Sequence, residues 1–295
     1  ALPTETVYGL AAAINQPAAL SRIFEVKARP ENHPLIVHCS SWDMAQSLID
    51  NTFEGYVKDL VQSFTPGPVT FILPKSEKVS LTITGGQDSV GIRIPRHSMT
   101  QTIIEKLGVA LAAPSANKFG AVSPTSALHV FHDLKDSLDA NRDAIVDGGE
   151  ADIGLESTIV DCRFEIPKIL RPGAITLQML QEVIPSVQIV NDSDVRVSGS
   201  FEKHYSPNAL VRVIDNIEEI ELAYDVVGLI ALENIPTPPG TMRLAMPRDD
   251  AEFAHSLYAA LRKGDELFLP EVFVVTPANS GLGVAIRDRI TRASH

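Results

Sequence analysis

An α/β protein in two successive parts is what this sequence predicts, on three observations. Short apolar, β-branched runs such as residues 69–73 and 90–94 alternate with stretches of helical spacing. Hydroxyl or cationic residues recur at the ends of those runs, beside Gly or Pro turns. From Pro185 the texture becomes polar, and a second strand-and-helix pattern begins at Leu210. The length of 295 residues exceeds one typical domain and suits two.

Taken in order, Pro3-Thr4-Glu5-Thr6-Val7-Tyr8-Gly9-Leu10-Ala11 reads as a strand end running into a Gly turn. Its threonines and Glu are ligand groups or simply strand formers. Residues 17–26 are helical, with Leu20, Ile23 and Phe24 on one face. Lys27 and Arg29 then enter a Pro-bounded loop with Asn32 and His33, and residues 35–37 form a short strand before His38. The two histidines match no helical ligand pair, so His38 reads as a hydrogen-bonding group and not as a metal ligand. Residues 44–61 read as a helix, 65–73 as a Pro/Gly turn into a strand, and 85–89 as a turn. In the strand 90–97, Arg93 alternates with Ile92 and Ile94 and points away from them. Either it is a surface arginine or it is a fork for a carboxylate or phosphate.

The stretch Ala112-Ala113-Pro114-Ser115-Ala116-Asn117-Lys118-Phe119-Gly120-Ala121-Val122-Ser123-Pro124-Thr125 links a strand at 109–112 to a helix beginning near Ser126. Small residues, hydroxyls, an amide and a lysine suit an oxyanion; the same composition also makes an ordinary capped loop. Residues 144–149 read as a strand ending in Gly-Gly. Residues 154–161 read as a Gly turn, two hydroxyls and a strand, and 177–184 as a helix after Arg171-Pro172-Gly173. The repetition of this device points to a shared cleft for an anionic ligand. Residues 198–207 read as a linker too polar for the core. Beyond it come strands at 210–214, 226–231 and 272–276, and a helix at 250–263. Gly281-Leu282-Gly283 then leads into a helix, which alone is weak evidence for a nucleotide.

Composition narrows the function classes. Apolar residues at 44% and charged residues at 21% call for a packed core. No apolar stretch is long enough for a bilayer span, and no signal peptide is visible. Cys39 and Cys162 cannot make a zinc cluster alone and are expected as buried free thiols in a reducing compartment. The net charge of −12 disfavours an extended nucleic-acid footprint. The chain opens at Ala1-Leu2-Pro3 without Met, so a preceding segment with the start of the first strand is expected. No Gly-x-Ser-x-Gly elbow, Walker loop, Cys-x-x-Cys or His-Glu-x-x-His occurs. Paired-carboxylate hydrolysis is not suggested. A cleft of cations and hydroxyls suits chemistry at phosphate by positioning and charge neutralisation.

Several motifs, in order, resemble the YrdC-like threonylcarbamoyl-AMP synthases. They are Pro3-Thr4-Glu5-Thr6-Val7-Tyr8-Gly9-Leu10, Lys27-x-Arg29-Pro30 with Pro34-Leu35 and His38, Pro66-Gly67-Pro68-Val69-Thr70, Arg93-Ile94-Pro95, Ala113-Pro114-Ser115-Ala116-Asn117 with Ser123, and Glu156-Ser157-Thr158 with Arg171-Pro172-Gly173. The tail, with His204-Tyr205-Ser206-Pro207 and Gly281-Leu282-Gly283, resembles the two-domain form. The resemblance implies a twisted mixed-sheet YrdC-like domain over residues 1–190, a linker or lid at 191–208, and a smaller α/β Rossmann-like domain at 209–295. It implies a cytoplasmic nucleotidyltransferase that condenses L-threonine, bicarbonate or CO2, and ATP into threonylcarbamoyl-AMP and pyrophosphate. The product would serve the tRNA threonylcarbamoyl-transferase proteins downstream.

By motif, Thr6, His38, Arg93, Ala113 and Ser157 would hold threonine or its carbamate. Arg29, His33, Ser89, Ser115, Asn117, Ser123, Arg171, Ser198 and His204 would hold ATP. Lys27, Arg29, Arg93 and Arg171 would be the catalytic cations, with no protein nucleophile. Mg2+ is expected on the phosphates, held mainly by ATP. His33 stands where the family pattern has Asn, and Ser200-Phe201-Glu202 stand where it has Met, a basic residue and an aromatic. The linker is expected to close over ATP and keep water from the adenylate. Two alternatives are an RNA-binding module, which the acidic charge disfavours, and a related carbamoyl-adenylating enzyme, whose extra zinc-finger and acylphosphatase-like segments are missing here.

Overall fold

The first residues turn back on themselves instead of forming the expected strand. Thr4 Oγ1 accepts from the backbone N–H of Thr6 and of Val7, each at 3.2 Å. That side-chain turn meets donors a ladder would otherwise take, and only the isolated pairs Leu2–Gly9 and Gly9–Ser115 form here. The computed structural model describes residues 1–50, 55–190, 194–199 and 204–294. The proposed family departures at Ser200-Phe201-Glu202 and the polar run Asn191-Asp192-Ser193 lie outside the described residues.

The elements of the first part, in chain order, are β1 (Ala12–Ala13), α1 (Pro17–Lys27), β2 (Ile36–His38), α2 (Trp42–Gln46), α3 (Tyr56–Phe64), β3 (Val69–Pro74), α4 (Leu81–Thr84) and β4 (Ser89–Arg93). They continue with α5 (Ser98–Leu107), β5 (Leu111–Ala112), α6 (Ala127–Leu134), β6 (Thr158–Asp161), β7 (Lys168–Arg171), α7 (Leu177–Val183) and β8 (Gln188–Ile189). The eight strands form one mixed, twisted sheet in the order β1-β5-β2-β4-β3-β6-β7-β8. β3, apolar except for Thr70, sits near its middle and is buried along almost its whole length. Tyr8, Leu20, Phe24, Val37, Phe71 and Ile92 are among the residues of the main core.

The second part begins with β9 (Leu210–Ile214), followed by β10 (Val227–Ile230), β11 (Thr241–Ala245), α8 (Asp250–Glu266), β12 (Glu271–Val275) and α9 (Gly283–Ala293). Its four strands are all parallel, in the order β11-β10-β12-β9. α8 and α9 share one core with Val211, Ile230, Val272 and Val274, and Tyr205 of the linker and Val122 and Leu155 of the first part join the same core. Arg262 of α8 reaches Asp133 of α6 through Nη1 at 2.8 Å and Nη2 at 2.7 Å.

Three further local expectations are corrected. Residues 144–149 are not a strand: Val146 N–H donates to Ala1 O and Gly148 N–H to the Tyr8 hydroxyl, single partners in place of a ladder. The helix expected over 44–61 is two short helices. The chain after α2 docks on the end of β3, where Asp50 N–H donates to Pro74 O, and α3 restarts after Gly55. The linker is not uniformly too polar for the core, because His204 and Tyr205 are buried. The edge strands β1, β8 and β11, the inner strand β7 and the helices α4 and α5 carry weak local signals that the sequence reading did not assign.

Candidate active site

The strand directions bring five chain segments to one edge of the first sheet. β2 and β4 are parallel, and their last residues, His38 and Arg93, are register partners. β3 runs antiparallel to β4 and parallel to β6, so the starts of β3 and β6 lie at the same edge. β7 is antiparallel to β6, which returns its last residue, Arg171, to that edge beside Ile159. A pocket forms there, at the carboxyl ends of parallel strands, where α/β sheets commonly bind ligands. Thr6, His38, Arg93, Ala113, Ser115, Ser157, Arg171, Ser198 and His204 all line it.

Each wall is hydrogen-bonded in place. Arg93 Nη1 donates to Thr6 Oγ1 at 2.8 Å, and its Nη2 forms an ion pair with Glu5 at 2.8 Å. As the alternation predicts, Ile92 turns into the core and Arg93 to the pocket. Burial would raise the Glu5 carboxyl, but the Arg93 charge together with hydrogen bonds from Arg93 and the backbone holds the group below its ordinary value. Ser157 Oγ lies 2.8 Å from Thr70 Oγ1. Arg171 donates through Nη2 to Ser157 O at 2.9 Å and through Nη1 to Ser198 O at 2.7 Å, tying the linker to the pocket. The central loop interlocks with the first turn: Tyr8 N–H donates to Pro124 O, Leu10 N–H to Pro114 O and Ala116 N–H to Tyr8 O.

His38 Nδ1 lies 3.1 Å from Ile36 O. Burial first, then the Arg93 charge, pushes its pKa down to about 3, so the imidazole is neutral. His204 is likewise lowered to about 3, by burial foremost.

Six of the expected site residues are not on the pocket wall. Lys27 is fully buried and its ammonium donates to the carbonyls of Ser115, at 2.6 Å, and Asn117. Burial, then the nearby Arg29 charge, pushes its pKa well below the usual lysine range. Asn117 Nδ2 donates to Lys118 O and Ala121 O, each at 2.8 Å, so both residues shape the central loop from behind. Ser123 donates to Glu156 Oε1 at 2.5 Å. Arg29 lies 5.7 Å over the Phe119 ring, and His33 packs edge-on to the same ring at 5.0 Å. Phe119 in turn meets His204 at 6.4 Å, so this group backs the His204 wall. Burial lowers the Arg29 guanidinium to about 10 and, with the Arg29 and Arg196 charges, the His33 imidazole to about 4. Ser89 lines a neighbouring hollow with Gln87, Arg196 and Ser198.

Two buried carboxylates, Glu5 and Glu156, were not among the assigned site residues; each is paired with an arginine, Glu5 with Arg93 and Glu156 with Arg289. Tyr205 also lines the pocket. The aromatic in the linker was its only local signal.

Sequence and structure comparisons bear on this arrangement. A family model described as "Telomere recombination" matches residues 1–173. A second, described as "Threonylcarbamoyl-AMP synthase, C-terminal domain", matches residues 175–295. The threonylcarbamoyl-AMP synthase of Pyrococcus abyssi is 35% identical over 309 residues, covering 100% of this chain and 89% of the relative. That of Bacillus subtilis is 34% identical over 315 residues, covering 100% and 88%. The chain belongs to the threonylcarbamoyl-AMP synthase family. A crystal structure of P. abyssi Sua5 complexed with L-threonine superposes with a TM-score of 0.88 at 35% identity, covering 99% of this chain and 89% of that one. The mixed-sheet and parallel-sheet halves of this family member therefore stand as expected. Among the described residues no helix is long and apolar enough to cross a membrane.

Proposed function

We infer that this enzyme is a nucleotidyltransferase that makes L-threonylcarbamoyl-AMP from L-threonine, bicarbonate or CO2, and ATP, releasing pyrophosphate. The observation that carries this reading is the pair of guanidinium groups, Arg93 and Arg171, lining one pocket. They stand at the ends of β4 and β7, three steps apart in the sheet order, or about 14 Å at ordinary strand spacing. That spacing gives each of two anionic reactants its own cation. Arg93, Thr6, His38, Ala113 and Ser157 form the threonine end. Arg171, Ser115, Ser198 and His204 form the ATP end, with Arg29, His33, Ser89, Asn117 and Ser123 around it.

The chemistry asks little of protein nucleophiles. The threonine amine takes up CO2, loses a proton and becomes a carbamate. A carbamate oxygen then bonds to the α-phosphorus as the bond to the pyrophosphate oxygen breaks. Both reactants are negative, and preorganised cations that neutralise them lower the barrier. Lys27 contributes by fixing the Ser115–Asn117 backbone. Mg2+ would arrive on the phosphates, since Glu5 and Glu156 are engaged by arginines and do not make a protein metal site. Buried free Cys39 and Cys162 fit a reducing cytoplasm. The product would pass to tRNA threonylcarbamoyl-transferase proteins, and the acidic net charge of −12 makes tRNA contact a minor role.

Incubation with ATP, bicarbonate and single amino acids, followed by pyrophosphate detection, tests the reading. Threonine should exceed valine by a wide margin, because the isostere leaves buried hydroxyl partners unpaired. Equal release with the two amino acids would sink it.

A further inference from the structure

A fully buried charged group of the second domain reaches under the pocket of the first. Arg289, on α9, is 0% exposed. Its Nε donates to Glu156 Oε2 at 2.8 Å, and its Nη2 to Pro172 O at 2.9 Å, next to Arg171. Its guanidinium carbon lies 5.3 Å from the centre of the Tyr205 ring. Tyr258, on α8, donates to the same Oε2 at 2.9 Å and stacks on Tyr205 at 5.6 Å. From the first domain, Ser123 serves the other oxygen of Glu156. Glu156, Arg171 and Tyr205 all line the pocket.

A buried carboxylate beside a polyphosphate site is a liability. Unpaired, it repels the ligand and lies in a low-dielectric surrounding where that repulsion is strong. Arg289 cancels the charge from behind, and Tyr258 fixes the same oxygen. The wall then presents Arg171 to the ligand.

We propose that Arg289 and Tyr258 are positioning residues of the ATP end of the site, and that the second domain acts in the reaction by neutralising and orienting Glu156. The proposal rests on the reading of the pocket as a threonylcarbamoyl-AMP synthase site. It makes a prediction that a plain packing role does not. In Arg289→Met the volume is roughly kept while the carboxylate loses its counter-charge, so KM for ATP rises about tenfold or more, the scale of a stranded buried charge. KM for threonine stays within about threefold, because Arg93 and Thr6 belong to the far end of the pocket. In the double variant Glu156→Gln/Arg289→Met the buried carboxylate goes with its counter-charge, while Asp288, the other acidic partner of Arg289, keeps its pair with Arg292, and KM for ATP returns towards the wild-type value even if the melting temperature does not recover.

The experiment measures pyrophosphate release by the full chain and these variants, with thermal melts in parallel. An inactive wild type would refute the functional reading itself. With an active wild type, an unchanged KM for ATP in Arg289→Met, or a double variant no better than the single one, overturns the proposal. Should Arg289→Met not fold, Tyr258→Phe replaces it: a rise of about threefold in KM for ATP, reversed in Tyr258→Phe/Glu156→Gln, is expected, and no rise overturns the proposal equally.

Discussion

At the scale of single residues, the site is a set of charges held out of water. Arg93 and Arg171 are both buried, and each already holds a neutral oxygen in the pocket wall, Thr6 Oγ1 and Ser157 O. Arg93→Ala should mainly weaken threonine binding and Arg171→Ala mainly ATP binding. A lost charged hydrogen-bond partner costs about 1.5–3 kcal/mol, hence about tenfold or more in affinity. Calorimetry showing both variants binding both ligands normally would falsify the assignment. The neutral histidines give a pH signature. His38 and His204, at about 3, and His33, at about 4, stay unprotonated in the fold, while unfolded histidines titrate near about 6.5. Below about pH 6.5 the unfolded chain therefore binds more protons than the native one. Their stability contribution is complete above that pH and drains as pH falls towards the folded values. Burial would raise Glu156, but Arg289 and Arg171 hold it at about 2, so its contribution is complete above the unfolded value of 4.5 and is lost progressively as pH falls from there towards about 2. The denaturant midpoint should be lower at pH 5 than at pH 7, and His38→Gln should shrink the difference. Identical midpoints at the two pH values contradict this account.

At the scale of elements, the pocket depends on how closely two strands and their turns approach. β6 starts where β7 ends, and Gly173 lies against that junction. A Cβ on Gly173 would stand 2.5 Å from Thr158 N and 2.7 Å from Glu156 O, both backbone atoms that cannot swing aside. Gly173→Ala should destabilise the protein by about 1–3 kcal/mol, the usual cost of overpacking. It should also lower activity beyond what stability explains, because Glu156 and Ser157 must shift. A chemical-unfolding curve matching wild type would show that the junction yields. Gly199 has a related task with φ +83, where a side chain would meet the Tyr205 hydroxyl and Arg171. Tyr205 itself holds φ +63, a backbone state that a bulky residue keeps only when its surroundings impose it. Its 1% exposure and its packing against His204 and Tyr258 supply that constraint.

At the scale of the whole molecule, the two sheets are joined by more than a tether. One apolar core spans both, and the Arg262–Asp133 and Arg289–Glu156 pairs bridge them. Of the described parts of the linker, residues 194–199 lie on the first sheet, and Tyr205, within 204–208, joins the shared core. Val195 and Val197 pack with Ile72 and Ile159, and Ser198 O accepts from Arg171. If this linker is the expected lid, buried Tyr205 would be its anchor and the Arg171–Ser198 hydrogen bond its contact at the pocket. Amide exchange at residues 198–199 and 204–206 should slow when ATP and threonine are both added. Exchange rates indifferent to both ligands would reduce the segment to a fixed strap.

Some of this was determined by the sequence alone, because the signals are local. Apolar runs bounded by Gly and Pro mark β3 and β4, and polar or cationic groups beside Gly or Pro turns mark Thr6, His38, Arg93, Ser157 and Arg171, all of which line the pocket. Propensity and alternation act over a few residues, so they can be read without the fold. Only the tertiary structure decided the strand order that brings those ends together. It also turned the Lys27 ammonium towards backbone carbonyls instead of the pocket, and buried His204 and Tyr205 in a segment of polar composition. The partners of Glu156 show the reason most plainly. Tyr258 and Arg289 lie 102 and 133 residues away in the chain, and a charge is desolvated or compensated by what surrounds it in space.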